Sequence, residues 1–288
     1  MDVSNAQISR NQKNMGNLVN KLFNLEGRTV VLAGGAGQIG FVMAKALADA
    51  GAVVAIADID PEMAYQKIEM IEDADVKSKL KVYALDVSKK TDVVEVFRKI
   101  NAEIGNIYGL INCFHFKGNT RKLDPTSNFF AGFEDYPEEA WDLVHNINLK
   151  GTFLMSQAAI PYFKKKQKGI IVNISSTYGN VSPNKTIYGN SGINAPVAYS
   201  SSKSAIINLT RYIATHMAEN GIRANVLSLG GVFNNQSEEF LNNYKALTPL
   251  NRMASAEEYQ GAILFLMSDA SSYMTGANLI VDGGWTAW

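Results

Sequence analysis

Seven short apolar runs alternate with longer segments of helical periodicity along most of the 288-residue chain. The runs that predict strands are 29–33, 52–57, 80–85, 108–112, 169–174, 223–228 and 278–281. The segments that predict helices are 39–50, 61–73, 90–104, 138–165, 198–219 and 255–267. Such alternation is typical of βαβ units, whose parallel strands are covered by helices on both faces. The sequence therefore predicts a single doubly wound α/β domain with a seven-stranded parallel sheet.

Two long segments interrupt this alternation, one over 114–137 after the fourth strand and one over 180–196 after the fifth. Both follow the carboxyl end of a strand, which is where open α/β sheets bind their ligands. Long loops in a compact domain are more often functional than not. We therefore expect both segments to bind the substrate. Their basic and aromatic side chains include Arg121, Lys122, Lys185 and Tyr188.

The composition of the chain excludes several classes of protein. The 27 basic residues balance the 27 acidic ones, so there is no electrostatic signature of a partner such as nucleic acid or an anionic membrane. The lone cysteine, Cys113, cannot form an intramolecular disulfide, which fits a reducing compartment. No apolar stretch is long enough to span a membrane, and residues 1–20 lack the apolar core of a signal peptide. We expect a cytoplasmic protein with an N-terminal extension over 1–24 and one domain over 25–288.

A glycine-rich turn joins the first predicted strand to the first predicted helix. Gly34, Gly37 and Gly40 have the spacing G-x-x-G-x-x-G. Glycines permit a tight turn there and let backbone N–H groups approach a phosphate at the helix N-terminus. A turn of this kind between strand and helix predicts binding of a dinucleotide pyrophosphate, the alternative being a tight turn that binds nothing.

Carboxylates follow the next two predicted strands. Asp58 ends the second strand, where it can accept hydrogen bonds from both adenosine ribose hydroxyls and would repel a 2′-phosphate. This favours NAD as the cofactor over NADP, although an aspartate that only caps the strand end is the alternative. Asp86 follows the third strand and can bond the adenine amino group, or it can instead act as an N-cap for the helix that begins at 90.

Tyr199 lies four residues before Lys203 in a segment that predicts a helix, so the two side chains share one helix face. An ammonium group near a phenol favours its ionised form, and a phenol with a lowered pKa can serve as an acid/base near neutral pH. Together with the glycine turn, this pair indicates an enzyme that transfers a hydride.

The chain resembles the short-chain dehydrogenase/reductase superfamily over nearly all of residues 25–288. The motifs that carry the resemblance follow in the family's order: the glycine turn, Asp58, Asp86, Asn148 in Asn146–Gly151, Ser176 in Val172–Ser176, the Tyr199/Lys203 pair and the closing Val281–Gly284. The resemblance implies a Rossmann-type fold and the interconversion of a secondary alcohol and a ketone with NAD.

The resemblance also implies the role of each site residue. Tyr199 would be the acid/base and Ser176 would hydrogen-bond the reacting oxygen. Lys203 would bind the nicotinamide ribose and tune Tyr199, while Asn148 would hold a water that links Lys203 to solvent. The implied cofactor-binding residues are Gly34, Gly37, Gln38, Ile39, Gly40, Asp58, Asp86, Val87, Asn112, Tyr199, Lys203, Gly230 and Val232.

A narrower resemblance comes from the insertion at 180–196, the stretch 230–236 and the ending 282–288. These segments are similar to oxidoreductases of bacterial flagellin-modification and nonulosonic-acid sugar clusters. That grouping implies a sugar phosphate or nucleotide sugar as substrate, in the biosynthesis of surface glycans. The family resemblance, with the extensive apolar surface of helices 138–165 and 198–219, also implies a homodimer or homotetramer.

Two alternatives to this function are open. One is a nucleotide-sugar epimerase or dehydratase that recycles NAD, which shares the spacing of the glycine turn. The ending Val281–Gly284 argues against it. The other is a non-catalytic dinucleotide sensor, suggested by two segments that depart from the family pattern, Asn112–His115 and Leu229–Asn234. The presence of all four residues expected in catalysis argues against a sensor.

Two residue types outside the family motifs also carry an expectation. The histidines are too scattered along the chain to predict a metal site: His115, His145 and His216. His115 enters the loop at the cofactor edge, where an ordinary loop histidine and an acid/base are both compatible with the sequence. Trp285 and Trp288 predict an aromatic anchor in a subunit interface or over the active site.

Overall fold

The computed structural model describes residues 18–116, 118, 123, 127–191 and 193–288. Seven strands form one sheet: β1 (Thr29–Ala33), β2 (Val53–Asp58), β3 (Leu80–Ala84), β4 (Ile107–Asn112), β5 (Gly169–Ser176), β6 (Ile222–Leu229) and β7 (Asn278–Val281). Their order across the sheet is β3-β2-β1-β4-β5-β6-β7, and every neighbouring pair is parallel. The chain order reverses between β1 and β4, where doubly wound sheets open a ligand crevice. The predicted fold class is confirmed.

Helices connect the strands on both faces of the sheet. They are α1 (Gln38–Asp49), α2 (Pro61–Glu69), α3 (Ala74–Ser78), α4 (Lys90–Glu103), α5 (Glu138–His145), α6 (Gly151–Lys166), α7 (Thr177–Asn180), α8 (Val197–Met217), α9 (Glu238–Ala246) and α10 (Gln260–Met267). Residues 18–23, at the end of the predicted extension, are also helical. No helix in the described ranges is long and apolar enough to cross a membrane.

The structure differs from the predicted helices in four places. One is the helix expected over 255–267, where Ala256–Tyr259 is a 3₁₀ turn and α10 begins at Gln260. The continuous helix expected over 138–165 is divided into α5 and α6 by a π-helical turn at Asn146–Lys150. The helix expected over 61–73 ends at Glu69, and α3 starts separately because the Asp73 side chain accepts hydrogen bonds from the first N–H groups of α3. Helix α9 was not expected at all, because its short apolar pattern lies in a polar segment.

The core consists of two clusters, one on each face of the sheet, with a third cluster outside it. Along β1 the buried side chains alternate, so that Val31 joins one sheet-face cluster and Val30 the other. The third cluster contains Ile187, Tyr244, Met253 and Trp285 and lies beyond the carboxyl end of the sheet. This cluster, called the distal cluster below, includes Ile187 of the inserted segment and has Tyr188 packed against it.

Candidate active site

The glycine turn between β1 and α1 has a backbone that excludes side chains at two positions. Gly34 has a φ of +80°, and a Cβ there would lie 2.6 Å from the carbonyl oxygen of Cys113. A Cβ on Gly40 would overlap the Gly34 carbonyl oxygen. Gly37 precedes α1, and no side chain caps that helix. Gln38 and Ile39 therefore begin a helix whose N–H groups suit a phosphate, which fits the predicted pyrophosphate site.

The loop after β6 closes the other side of this turn. The Gln38 Nε2 donates to the carbonyl oxygen of Phe233 at 3.0 Å. Gly230 lies against β7, where a Cβ would approach the Asp282 Cα to 2.8 Å. The Val232 carbonyl accepts from the Gln236 side chain at 3.0 Å. The two predicted cofactor-binding segments are thus brought together.

Asp58 ends β2 beside the glycine turn, as predicted. Its Oδ2 accepts a hydrogen bond from the Ala36 N–H at 2.9 Å, and its Oδ1 accepts from the Asp60 N–H at 3.1 Å. Lys67 donates to the Ala36 carbonyl oxygen at 2.7 Å. Asp58 therefore caps the end of β2, which was the alternative to cofactor binding. A carboxylate has about four acceptor positions, so this role is compatible with a contact to ribose hydroxyls.

Asp86 does not cap the following helix, because the N-cap of α4 is Lys89. Its Oδ1 instead accepts from the Ser88 N–H at 3.1 Å and from the Ser88 hydroxyl at 2.6 Å. Val87 is buried against Gly151, where an added Cβ would lie 3.0 Å from the valine Cγ2. The N-cap alternative for Asp86 is thus excluded.

Asn112 belongs to a buried polar network between strands. Its Nδ2 donates to the Asn173 Oδ1 at 2.8 Å, and the Asn173 Nδ2 donates to the Thr210 hydroxyl at 2.8 Å. The Asn112 Oδ1 has no hydrogen-bond partner among the described residues. This network ties β4 and β5 to α8, the helix that carries the expected catalytic pair.

Helix α8 places Tyr199 and Lys203 on one face, with the Lys203 Nζ 5.8 Å from the centroid of the Tyr199 ring. Lys203 is buried, and its Nζ donates to the Ile174 carbonyl oxygen at 2.8 Å. Burial lowers the pKa of Lys203 to about 8. The side chain can therefore exchange a proton near physiological pH.

The expected lowering of the Tyr199 pKa by Lys203 is wrong for this structure. Burial raises the pKa of the Tyr199 phenol, and a hydrogen bond with Ser176 opposes that rise by a smaller amount. The Tyr199 side chain nevertheless keeps a partly exposed face. The sequence correctly placed the lysine beside the phenol but gave no measure of how strongly packing penalises the phenolate.

Ser176 lies beside Tyr199, and Asn148 contacts the helix that carries Tyr199 through Ser202. The Ser176 Oγ accepts from the Tyr178 N–H at 3.2 Å, which fixes the hydroxyl at the end of β5. Asn148 is fully buried in the π-helical turn and donates to the Ser202 hydroxyl at 3.0 Å. The Asn148 Oδ1 accepts from the Phe116 N–H at 2.9 Å. Both ends of this amide are thus engaged by the protein, and they join the loop after β4 to α8.

Three aromatic residues outside the family motifs also lie around Tyr199. The His115 ring lies edge-on to Tyr199, with centroids 5.6 Å apart. Tyr178 and Tyr188 also lie close enough to interact electrostatically with other phenols of the site. The sequence indicated two of these positions, because His115 follows the carboxyl end of β4 and Tyr188 belongs to the insertion after β5. Arg121 and Lys122 lie outside the described residues.

The two C-terminal tryptophans have different environments. Trp285 is 7% exposed and stacks on Tyr244 with centroids 4.6 Å apart, whereas Trp288 is 80% exposed. Trp285 also meets Tyr178 edge-on at 6.4 Å. Within the described part of the chain, no group of three or more His, Cys, Asp and Glu side chains could hold a metal ion.

Comparison with known proteins identifies relatives over almost the whole chain. A family model described as enoyl-(acyl carrier protein) reductase matches residues 34–286. The chain is 31% identical to 2-(S)-hydroxypropyl-CoM dehydrogenase 3 of Xanthobacter autotrophicus, over 91% of this chain and 98% of the relative. It is 32% identical to NADH-dependent L-xylulose reductase of Ambrosiozyma monospora, over 92% and 97% respectively. It is 29% identical to post-translational flagellin modification protein A of Campylobacter coli, over 91% and 99%.

Solved structures agree with these sequence matches. A short-chain dehydrogenase of Leptospira borgpetersenii with bound NAD+ superimposes with a TM-score of 0.77 and 33% identity, over 91% of this chain and 94% of that one. A gluconate 5-dehydrogenase of Burkholderia cenocepacia in complex with NADP and tartrate gives a TM-score of 0.81 and 25% identity, over 94% and 99%. With its strand order, glycine turn and Tyr199/Lys203 pair, the chain therefore belongs to the short-chain dehydrogenase/reductase superfamily and is an oxidoreductase acting on CH–OH groups.

Proposed function

We propose that the protein interconverts a secondary alcohol and a ketone on a sugar phosphate or nucleotide sugar, using NAD, in the biosynthesis of a surface glycan. The observation that carries the proposal is the cluster of Tyr199, Ser176 and Lys203 at the carboxyl end of β5. This cluster and the glycine turn both lie at the carboxyl ends of the parallel strands. The flagellin-modification relative supports the choice of a glycan.

The glycine turn fits a dinucleotide because the helix that follows it begins at Gln38 without a side-chain cap, and the N-terminus of a helix suits a phosphate. Gly34 and Gly40 are required by close backbone contacts within the turn itself. Gly37, Gln38 and Ile39 would present backbone N–H groups to the pyrophosphate, with Gly230 and Val232 on the opposite side. Asp86, Val87 and Asn112 would border the adenine and ribose. When bound, NAD+ supplies the acceptor of the hydride.

The protein's own residues handle the proton and the substrate oxygen. Tyr199 accepts the proton of the reacting hydroxyl, and Ser176 aligns the oxygen through its hydroxyl group, which the Tyr178 N–H holds in place. Lys203 lies beside the Tyr199 ring, and its ammonium form would stabilise the negative charge that develops on the phenol oxygen. Asn148 holds the Phe116 loop and Ser202 in position around this pair.

Cofactor choice follows from Asp58. A carboxylate beside the glycine turn accepts hydrogen bonds from ribose hydroxyls and repels a 2′-phosphate. We therefore propose a preference for NAD, although known relatives include both NAD- and NADP-bound structures.

The subunits are proposed to form a homodimer or homotetramer through α5, α6 and α8. Large apolar side chains are exposed on these helices: Trp141 at 39%, Phe153 at 44% and Tyr212 at 60%. Apolar side chains of this size gain free energy when a second copy removes them from water. Light scattering should give at least the mass of a dimer at micromolar concentration, and a stable monomer would contradict this arrangement.

The experiment that tests the proposed function is a screen for NADH formation. Sugar phosphates, nucleotide sugars and free polyols are each incubated with enzyme and NAD+, with the Tyr199→Phe protein as a matched control. We expect NADH from at least one sugar derivative only with the unaltered protein. Absence of NADH from the whole panel, or equal NADH from the control, would contradict the proposal.

A further inference from the structure

Helix α2 begins directly after the end of β2 and is held there by side chains. The Asp58 Oδ1 accepts from the Asp60 N–H at 3.1 Å, and the Asp60 side chain caps the helix by accepting from the Met63 N–H at 3.1 Å. Ala64 and Ile68 are buried in the core cluster on this face of the sheet. The start of α2 and its packed face are therefore both fixed relative to the end of β2.

Lys67 lies on the inner side of α2, three residues after the buried Ala64. Its Nζ donates to the Ala36 carbonyl oxygen in the glycine turn at 2.7 Å, and it lies 5.5 Å from the centroid of the Phe41 ring in α1. The lysine side chain is partly buried. Contacts with two other segments of the chain thus place its ammonium group at the glycine turn.

The backbone of Ala36 joins Lys67 to Asp58. The Ala36 carbonyl oxygen accepts from Lys67, while the Ala36 N–H donates to the Asp58 Oδ2 at 2.9 Å. The backbone N and O atoms of one residue are less than about 4 Å apart, so the ammonium group and the carboxylate are at most about 10 Å from each other. This is about one Debye length at 0.1 M salt, so both charges act on a group bound at this end of the turn.

The adenosine ribose of a dinucleotide occupies the end of the second strand in this fold, where a carboxylate bonds the ribose hydroxyls. A phosphate group on the 2′-oxygen would bring up to about two negative charges beside Asp58. Asp58 repels that phosphate, whereas the ammonium group of Lys67 attracts it, because lysine binds phosphate as a compact point charge. The two side chains therefore act in opposite directions on the same group.

Building on the proposed preference for NAD, we infer that Lys67 is a second determinant of cofactor choice, whose ammonium group attracts the 2′-phosphate of NADP and limits the discrimination that Asp58 imposes. The protein then binds NADP measurably as well as NAD. Specificity is a difference between two affinities, and one attractive and one repulsive charge set it here. A lysine that only held the glycine turn through Ala36 would affect both cofactors alike.

Titrations of NAD+ and NADP+ test this inference. Lys67→Met removes the charge and Lys67→Arg keeps it. Lys77→Met is a matched control, because Lys77 pairs with the exposed Glu69 of α2 at 2.8 Å. We expect Lys67→Met to weaken NADP+ binding about tenfold more than NAD+ binding. The ratio of the two affinities in Lys67→Arg and in Lys77→Met should stay within about twofold of that in the unaltered protein.

A Lys67→Met protein that loses affinity for both cofactors equally, or that binds NADP+ as well as before, would overturn the inference. The same comparison is made in the Asp58→Asn background, where loss of the carboxylate strengthens NADP+ binding. The tenfold loss should recur there, and its absence, or no NADP+ binding in either background, would also overturn the inference. Lys67→Gln, whose amide can still donate to the Ala36 carbonyl, decides the question where Lys67→Met does not fold. The preference for NAD itself is decided separately, by the ratio of affinities in the unaltered protein.

Discussion

The cofactor side and the substrate side of the active site are built in different ways. On the cofactor side, the backbone of one short turn sets the shape, because Gly34 and Gly40 leave no room for a Cβ. On the substrate side, Tyr178, Tyr188 and Trp285 meet only because the insertion, α9 and the C-terminal segment pack together. Short-range sequence patterns therefore define the first side, and long-range packing defines the second.

Replacing Tyr199 by Phe should break the substrate side while leaving the cofactor side intact. The substitution removes the proton acceptor but keeps the ring, so turnover should fall by roughly 10²–10⁴-fold, the usual contribution of a positioned acid/base. The affinity for NAD+ should change little, which a fluorescence titration of the same preparation would check. A folded Tyr199→Phe protein with near-normal turnover would reassign the acid/base, with His115 as the first candidate because its ring lies 5.6 Å from that of Tyr199.

Lys203 should link the two sides, because it is assigned to both the cofactor ribose and the phenol. Lys203→Ala should lower turnover and weaken NAD+ binding together, measured by kcat and by NAD+ titration. A variant that loses turnover with unchanged NAD+ affinity would remove Lys203 from the cofactor side.

The free energy of unfolding should also depend on pH through the buried Lys203. The pKa of Lys203 falls from 10.5 to about 8 on folding, so the unfolded chain holds more protons between those values. Stability contributed by this group therefore rises with pH from about 8 to about 10.5. The free energy of unfolding of the unaltered protein, minus that of Lys203→Met, should increase across this window by up to roughly 3 kcal/mol. A difference that stays constant with pH in denaturant titrations would show that Lys203 ionises normally.

Asp58 should affect the choice of cofactor more weakly. Asp58→Asn keeps an acceptor for the Ala36 N–H but removes the charge, so the preference for NAD+ over NADP+ should shrink by about tenfold. Asp60→Asn is a matched control, because Asp60 caps α2 through the Met63 N–H. Equal binding of both cofactors by the unaltered protein, in parallel titrations, would refute the role of Asp58.

The same contrast explains what the sequence could predict. The seven strands and their parallel direction followed from apolar runs and turn residues, with boundaries that differ from the structure by at most two residues, as in β5 at Gly169–Ser176. The π-helical turn at Asn146–Lys150 could not be predicted from the sequence, because its apolar pattern continues that of the flanking helices. The Tyr199 pKa was assigned the wrong direction because burial of a phenol depends on residues distant in the sequence. Helix α9 and its contact with the insertion depend on the distal cluster in the same way.

The central claim is that an alcohol bound on the substrate side transfers a hydride to NAD+ bound on the cofactor side, with net formation of NADH. The most direct test measures NADH and ketone in the same reaction, with the best substrate from the panel and NAD+ in excess. The account predicts equimolar NADH and ketone, with neither formed by Tyr199→Phe at a comparable rate. Conversion of the substrate without accumulation of NADH would contradict it and would indicate an epimerase or dehydratase that recycles NAD.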